Sequence, residues 1–176
     1  ISAVVNGEMG NVTGVNDNDI DRIAYAQVNG IGVGDALVHN SGDVFLSQRI
    51  TAKAPGQVEI DGARVVANGA SDTYDGEGGS ANFNDSHVTI KNSGDLTIHQ
   101  SVSAISGSGN ASVANIEAIG IVGLEEDAGN LELHNSGDIV VKQWVMGGTG
   151  EAFGILAQEF GEGDMWVSHG GALIVH

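Results

Sequence analysis

The chain is 176 residues long, which suits one domain or one run of repeats; 41% of it is apolar, largely Val, Ile, Leu and Ala, because aromatics are only 5%. Its 28 glycines against one proline, Pro55, favour tight turns between strands over a disordered linker. A formal net charge of −17, from 23 acids and 6 Lys plus Arg, argues against nucleic acid and anionic membrane surfaces as partners, and the absence of Cys excludes disulfides, iron–sulfur clusters and thiolate zinc sites.

Taken in chain order, the first segment is apolar, Ile1-Ser2-Ala3-Val4-Val5. An acidic loop follows at Asn16-Asp17-Asn18-Asp19-Ile20-Asp21, then Val28-Asn29-Gly30-Ile31-Gly32-Val33. Leu37-Val38-His39 leads into the corner Asn40-Ser41-Gly42-Asp43 and out through Val44-Phe45-Leu46. Ala63-Arg64-Val65-Val66-Ala67 and a variable stretch from Ser71 to Asp85 come next. The strand–corner–strand unit then returns as Val88-Thr89-Ile90, Asn92-Ser93-Gly94-Asp95 and Leu96-Thr97-Ile98. It returns again, after Glu117-Ala118-Ile119-Gly120-Ile121, as Leu131-Glu132-Leu133, Asn135-Ser136-Gly137-Asp138 and Ile139-Val140-Val141. Glu151-Ala152-Phe153-Gly154-Ile155 repeats the strand at 117–121, and a worn copy of the corner stands at His169-Gly170-Gly171-Ala172, between Met165-Trp166-Val167 and Leu173-Ile174-Val175.

Period-two alternation on both sides of each corner marks half-buried β-structure. Asn and Gly tolerate the left-handed backbone that a corner needs. Aligning Asn40, Asn92, Asn135 and Gly170 gives units of unequal length, in which strands keep their size and loops change. Stacked repeats tolerate insertion in that way. Regular hairpin signals and helical periodicity are both missing. The expected fold is therefore all-β: a right-handed parallel β-helix (β-solenoid) of about four degenerate repeats, forming a single domain over 1–176. Its expected core includes Ile31, Val33, Leu37, Val44, Leu46, Val88, Ile90, Leu96, Ile98, Ile119, Ile121, Leu131, Leu133, Ile139, Val141, Ile155, Leu173 and Val175.

On its three N-S-G-D-aliphatic corners and its A-x-G-I strands, the chain resembles the passenger regions of bacterial autotransporters and related large secreted adhesins. The resemblance covers most of the chain and is weakest at about 55–85. It implies a right-handed parallel β-helix, export, and display on the bacterial surface or outside the cell. It carries no C-terminal membrane barrel, and the length is short for a whole passenger, so a fragment or a separate small subunit is expected.

The corner residues Asn40, Gly42, Asp43, Asn92, Gly94, Asp95, Asn135, Gly137 and Asp138 are read as structural. Stacked units lie about 4.7–4.9 Å apart, a spacing at which amide side chains hydrogen-bond along the stack. His39, Lys91, His134 and His169 are expected to form the neighbouring column; two imidazoles there would suit a transition metal, but Lys91 interrupts them. Asp17, Asp19 and Asp21 offer hard oxygen ligands of the kind calcium takes, although Arg22 breaks the EF-hand pattern and a solvated acidic loop would contain the same residues. No catalytic motif emerges, and no other cofactor is expected. Ile1, Ala3, Val5, Leu173 and Val175 lie at the two ends, apolar and without a polar cap, so end-to-end self-association into a filament, or continuation of a longer rod, is expected. The function expected is thus structural or adhesive, extracellular or at the cell surface and non-catalytic, meeting a host or matrix surface without membrane insertion. The alternatives are a β-helix that binds or cleaves polysaccharide, and a calcium-stabilised binding module.

Overall fold

A computed structural model of the chain describes residues 2–8, 25–29, 36–73, 87–126 and 129–176, with side chains described for 37–70, 87–126 and 129–176. Among these residues the protein is all-β, with no helix. The strands are β1 (Ser2–Glu8), β2 (Tyr25–Asn29), β3 (Ala36–Asn40), β4 (Val44–Ala54), β5 (Val58–Thr73), β6 (Val88–Asn92) and β7 (Leu96–Ser106). They continue as β8 (Ala111–Glu125), β9 (Leu131–Asn135), β10 (Ile139–Met146), β11 (Gly148–Glu159), β12 (Met165–His169) and β13 (Leu173–Val175).

These strands form three parallel sheets, here sheet A (β1-β4-β7-β10-β13), sheet B (β2-β5-β8-β11) and sheet C (β3-β6-β9-β12). The chain visits A, B and C in the same order throughout, so each sheet gains one strand per unit. Parallel neighbours must come from different units, which is why the alternating strands carry no hairpin signals. In β4 every second residue from Val44 to Ala54 is buried, as a strand with one face in the core requires.

In-register pairing stacks like on like inside. Val44, Leu96 and Ile139 form one buried column of sheet A, and Leu46, Ile98 and Val141 the next. Val38, Ile90 and Leu133 do the same in sheet C. Each such aliphatic side chain, fully buried, contributes roughly 1.5–3 kcal/mol relative to exposure.

Several expectations need correction. Leu37 is 62% exposed and Val38 takes the core position; a strand two apolar residues wide gives no parity by itself, and pairing Val38 with Ile90 fixes it. Leu173 and Val175 are exposed, because β13 is the outermost strand of sheet A. Ile155 is only half-buried against the main core, whereas Ile119 is fully buried as expected, in a separate cluster with Val66 and Val122. Ile31 and Val33 lie outside the described residues.

Register sets the repeat alignments. Glu117–Ile121 pairs with residues 64–68 of β5, and Val28 stands beside Asp72, further along the same strand. At the fourth corner His169, and not Gly170, occupies the asparagine position, since Asn135 pairs with His169. The successive separations along this column are 52, 43 and 34 residues. Gly171 then stacks on Gly137, and the Ala172 N–H meets the Asp138 carboxylate.

Candidate functional site

The corners between sheets C and A hold three side-by-side ladders. In the first, Asn40 Nδ2 donates to Asn92 Oδ1 at 2.7 Å and Asn92 Nδ2 to Asn135 Oδ1 at 2.6 Å. Each amide also donates to the carbonyl two residues on: Gly42, Gly94 or Gly137, at 2.8, 2.7 and 2.6 Å. Both Nδ2 protons are thus used, one to close the local turn and one to join units. Asn92 and Asn135 are buried, so these bonds are shielded from competing water. The column ends in an imidazole, where Asn135 Nδ2 lies 2.7 Å from His169 Nδ1. An amide nitrogen can only donate, so the His169 ring accepts at Nδ1.

In the second ladder each corner aspartate accepts from the next unit. Asp43 Oδ1 takes the Asp95 N–H at 3.0 Å, Asp95 Oδ1 the Asp138 N–H at 2.9 Å, and Asp138 Oδ1 the Ala172 N–H at 2.8 Å. The third feature is a column of glycines packed too closely for a side chain. A Cβ on Gly94 would overlap the Gly42 carbonyl oxygen, one on Gly137 that of Gly94, and one on Gly171 that of Gly137. Gly42 has open space there.

A fourth ladder escaped the sequence reading. Gln100 Nε2 donates to Gln48 Oε1 at 2.6 Å and Gln143 Nε2 to Gln100 Oε1 at 2.8 Å. The same amides reach across the interior to sheet B carbonyls: Gln100 to Glu117 at 2.9 Å, Gln143 to Glu151 at 2.8 Å, and Gln48 to Arg64 at 3.4 Å. This polar column divides the core. Leu46 and Ile98 belong to the apolar cluster on one side, Ile50 and Val102 to that on the other. A signal was available: each N-S-G-D is followed five residues after its Asp by Gln, at 48, 100 and 143.

The histidine column is not as expected. His39, Lys91, His134 and Ser168 stand in register, and His169 belongs to the asparagine column, so His134 and His169 do not stack. His134 Nδ1 is 2.8 Å from Ser168 Oγ, and Glu132 Oε2 is 3.9 Å from Nε2. That longer gap exceeds hydrogen-bond range, so the carboxylate does not fix the ring for base chemistry. No group of three or more His, Asp or Glu side chains suited to a metal ion occurs among the described residues. Asp17, Asp19, Asp21 and Ile1 lie outside them. Ala3 and Val5 pair with Gln48 and Ile50 through β1, so structure places them beside β4. Leu173 and Val175 lie on β13 at the other edge of the same sheet.

Fold and corners together define an all-β protein of stacked parallel units tied by amide and carboxylate ladders. No protein-family model, no curated protein and no solved structure matches the chain.

Proposed function

We propose that the chain is a right-handed parallel β-helix serving as a non-catalytic, structural or adhesive part of a bacterial extracellular or cell-surface protein. The unchanging A–B–C order of parallel strands, laddered in register at every corner, supports this reading. Such a body transmits force and presents long flat faces. Its rigidity comes from ladders that repeat, so a further coil can be added at no new cost in design.

The same proposal includes end-to-end association. β11, β12 and β13 each have one strand neighbour, and Met165, Trp166, Val167, Leu173, Ile174 and Val175 are exposed there. Open strand edges with apolar side chains recruit further strands. The occupant is either the next coil of a longer rod or the opposite edge of a second copy.

Negative-stain microscopy and light scattering of the purified chain test the assembly. Rods longer than one molecule, growing with concentration and shortened by Ile174→Lys, are expected. A particle that stays monomeric at high concentration defeats the filament reading. Handedness is read from an experimental density map; a left-handed path would overturn the β-helix assignment as stated. Calcium at Asp17, Asp19 and Asp21 predicts a lower melting temperature after chelation, and an unchanged one removes it.

A further inference from the structure

Four of the five strands of sheet A carry cations and no acids or no charge at all; the fifth, β1, has Glu8 in register with Lys53 at one end. The strands β4, β7, β10 and β13 contain no Asp or Glu. Three of the chain's 6 Lys plus Arg residues, Arg49, Lys53 and Lys142, lie on these strands. His99 is also there, with His176 following directly after β13. Alternation directs Ser47, Arg49, His99, Ser101, Lys142 and Trp144 outward, because Leu46, Ile50, Ile98, Val102 and Val141 point in. Register aligns them as two rows across the strands, Ser47–His99–Lys142 and Arg49–Ser101–Trp144.

Together they line a groove of ≈ 590 Å³, with His176 beside them. Arg49, Lys142 and Trp144 are exposed, Trp144 by 54%. Among the described residues no carboxylate pairs with Arg49 or Lys142. The nearest corner acids, Asp43 and Asp138, are six and four residues away along their strands, roughly 20 and 13 Å at about 3.3 Å per residue. Both distances exceed the Debye length of about 8 Å at physiological salt. These corner acids therefore do not cancel the local positive charge of the described strands.

We propose that this face binds an acidic polysaccharide through its carboxylates. Arg49 offers a planar fork that matches a carboxylate bidentately, and Lys142 a point charge two units away, about 10 Å along the stack. Trp144, at the far end of the Arg49 row and two residues beyond Lys142 on β10, supplies an apolar ring face for a sugar beside the charges. A nucleic-acid duplex fits less well. Its charge density, about one phosphate per 1.7 Å, would bring many phosphates over the corner aspartates for the sake of a few cations. The inference deepens the adhesive reading by naming a ligand class. It does not depend on filament formation, which scattering on the same samples reports separately.

The test uses the full chain and measures retardation in gels containing polygalacturonate, its methyl ester, or a short DNA duplex, at low and physiological salt. Binding to polygalacturonate, weakened by salt and absent for the ester, is expected. Arg49→Gln and Lys142→Gln each weaken it about tenfold. Lys91→Gln, on the outer face of sheet C, leaves it unchanged. Far-UV spectra of these surface variants establish that they are folded. No retardation, equal retardation by the ester, or unaltered binding in both charge variants overturns the proposal. Unaltered binding in Trp144→Ala removes the case for a sugar chain, and tighter binding to the duplex replaces it with nucleic acid.

Discussion

Replacing Asn92 with Leu changes shape little and deletes the middle rung of the asparagine ladder. Three hydrogen bonds go: the one accepted from Asn40 and those donated to Asn135 and to the Gly94 carbonyl. At about 1 kcal/mol net each, their loss alone costs about 3 kcal/mol. Asn135 Oδ1 is left in a buried residue without its donor, which raises the cost further, while the added apolar surface of Leu offsets part of it. A net loss of about 3 kcal/mol lowers Tm by roughly 6–12 °C for a domain of this size. Asn40→Leu removes fewer well-formed bonds and lies at a half-buried position, so about 1–2 kcal/mol is expected. Thermal melts by far-UV circular dichroism give both values. Hydrogen exchange at the Ser93 and Ser136 amides, which bond to the Asn40 and Asn92 carbonyls, reports the local loosening. Equal shifts for the two variants, or none in either, would refute the idea that a buried, continuous amide column holds the corners.

Gly94→Ala and Gly137→Ala should each push adjacent units apart and lower Tm sharply, whereas Gly42→Ala, with open space at its Cβ, should leave it within about 0.5 kcal/mol of wild type; similar melts for all three would dismiss the close-approach argument. Gln100→Leu should cost about 2–4 kcal/mol, since it strands the Glu117 carbonyl and both neighbouring glutamines in the interior; a stabilised variant would show that the polar column can be replaced by apolar packing. Asn68 is fully buried, its side-chain atoms have no partner among the described residues, and its register neighbour is Ile121. Asn68→Val should therefore raise stability by about 1–2 kcal/mol in denaturant melts, and a fall would mean that the amide has a role in the fold.

Local chemistry made the parallel strands and the corners legible in the residues alone. Alternation has the period of a strand, and Asn-Ser-Gly-Asp closes its own turn, so both leave marks on a few consecutive residues. The fourth corner was less legible. Matching by letter chose Gly170, because His169 has no resemblance to Asn; only pairing along β9 and β12 sets the phase. Parity at Leu37-Val38 was open for the same reason: two adjacent apolar residues point to opposite faces, and the neighbouring strand decides which is inside.

The glutamines show a different limit. Their recurrence at 48, 100 and 143 is plain in the chain, but glutamine is ordinarily a surface residue. That it is buried follows from sheet B carbonyls standing across from sheet A, residues 17 positions away in the case of Gln100 and Glu117. Composition also summed the charges to −17 and lost their positions. Coulomb attraction depends on distance and screening, so a face that gathers Arg49 and Lys142 away from the corner aspartates can be cationic on an acidic protein. Residues alone determined the repeating strand and turn; which side chains meet, and what charge each face carries, was decided by the stacking of units 52, 43 and 34 residues apart.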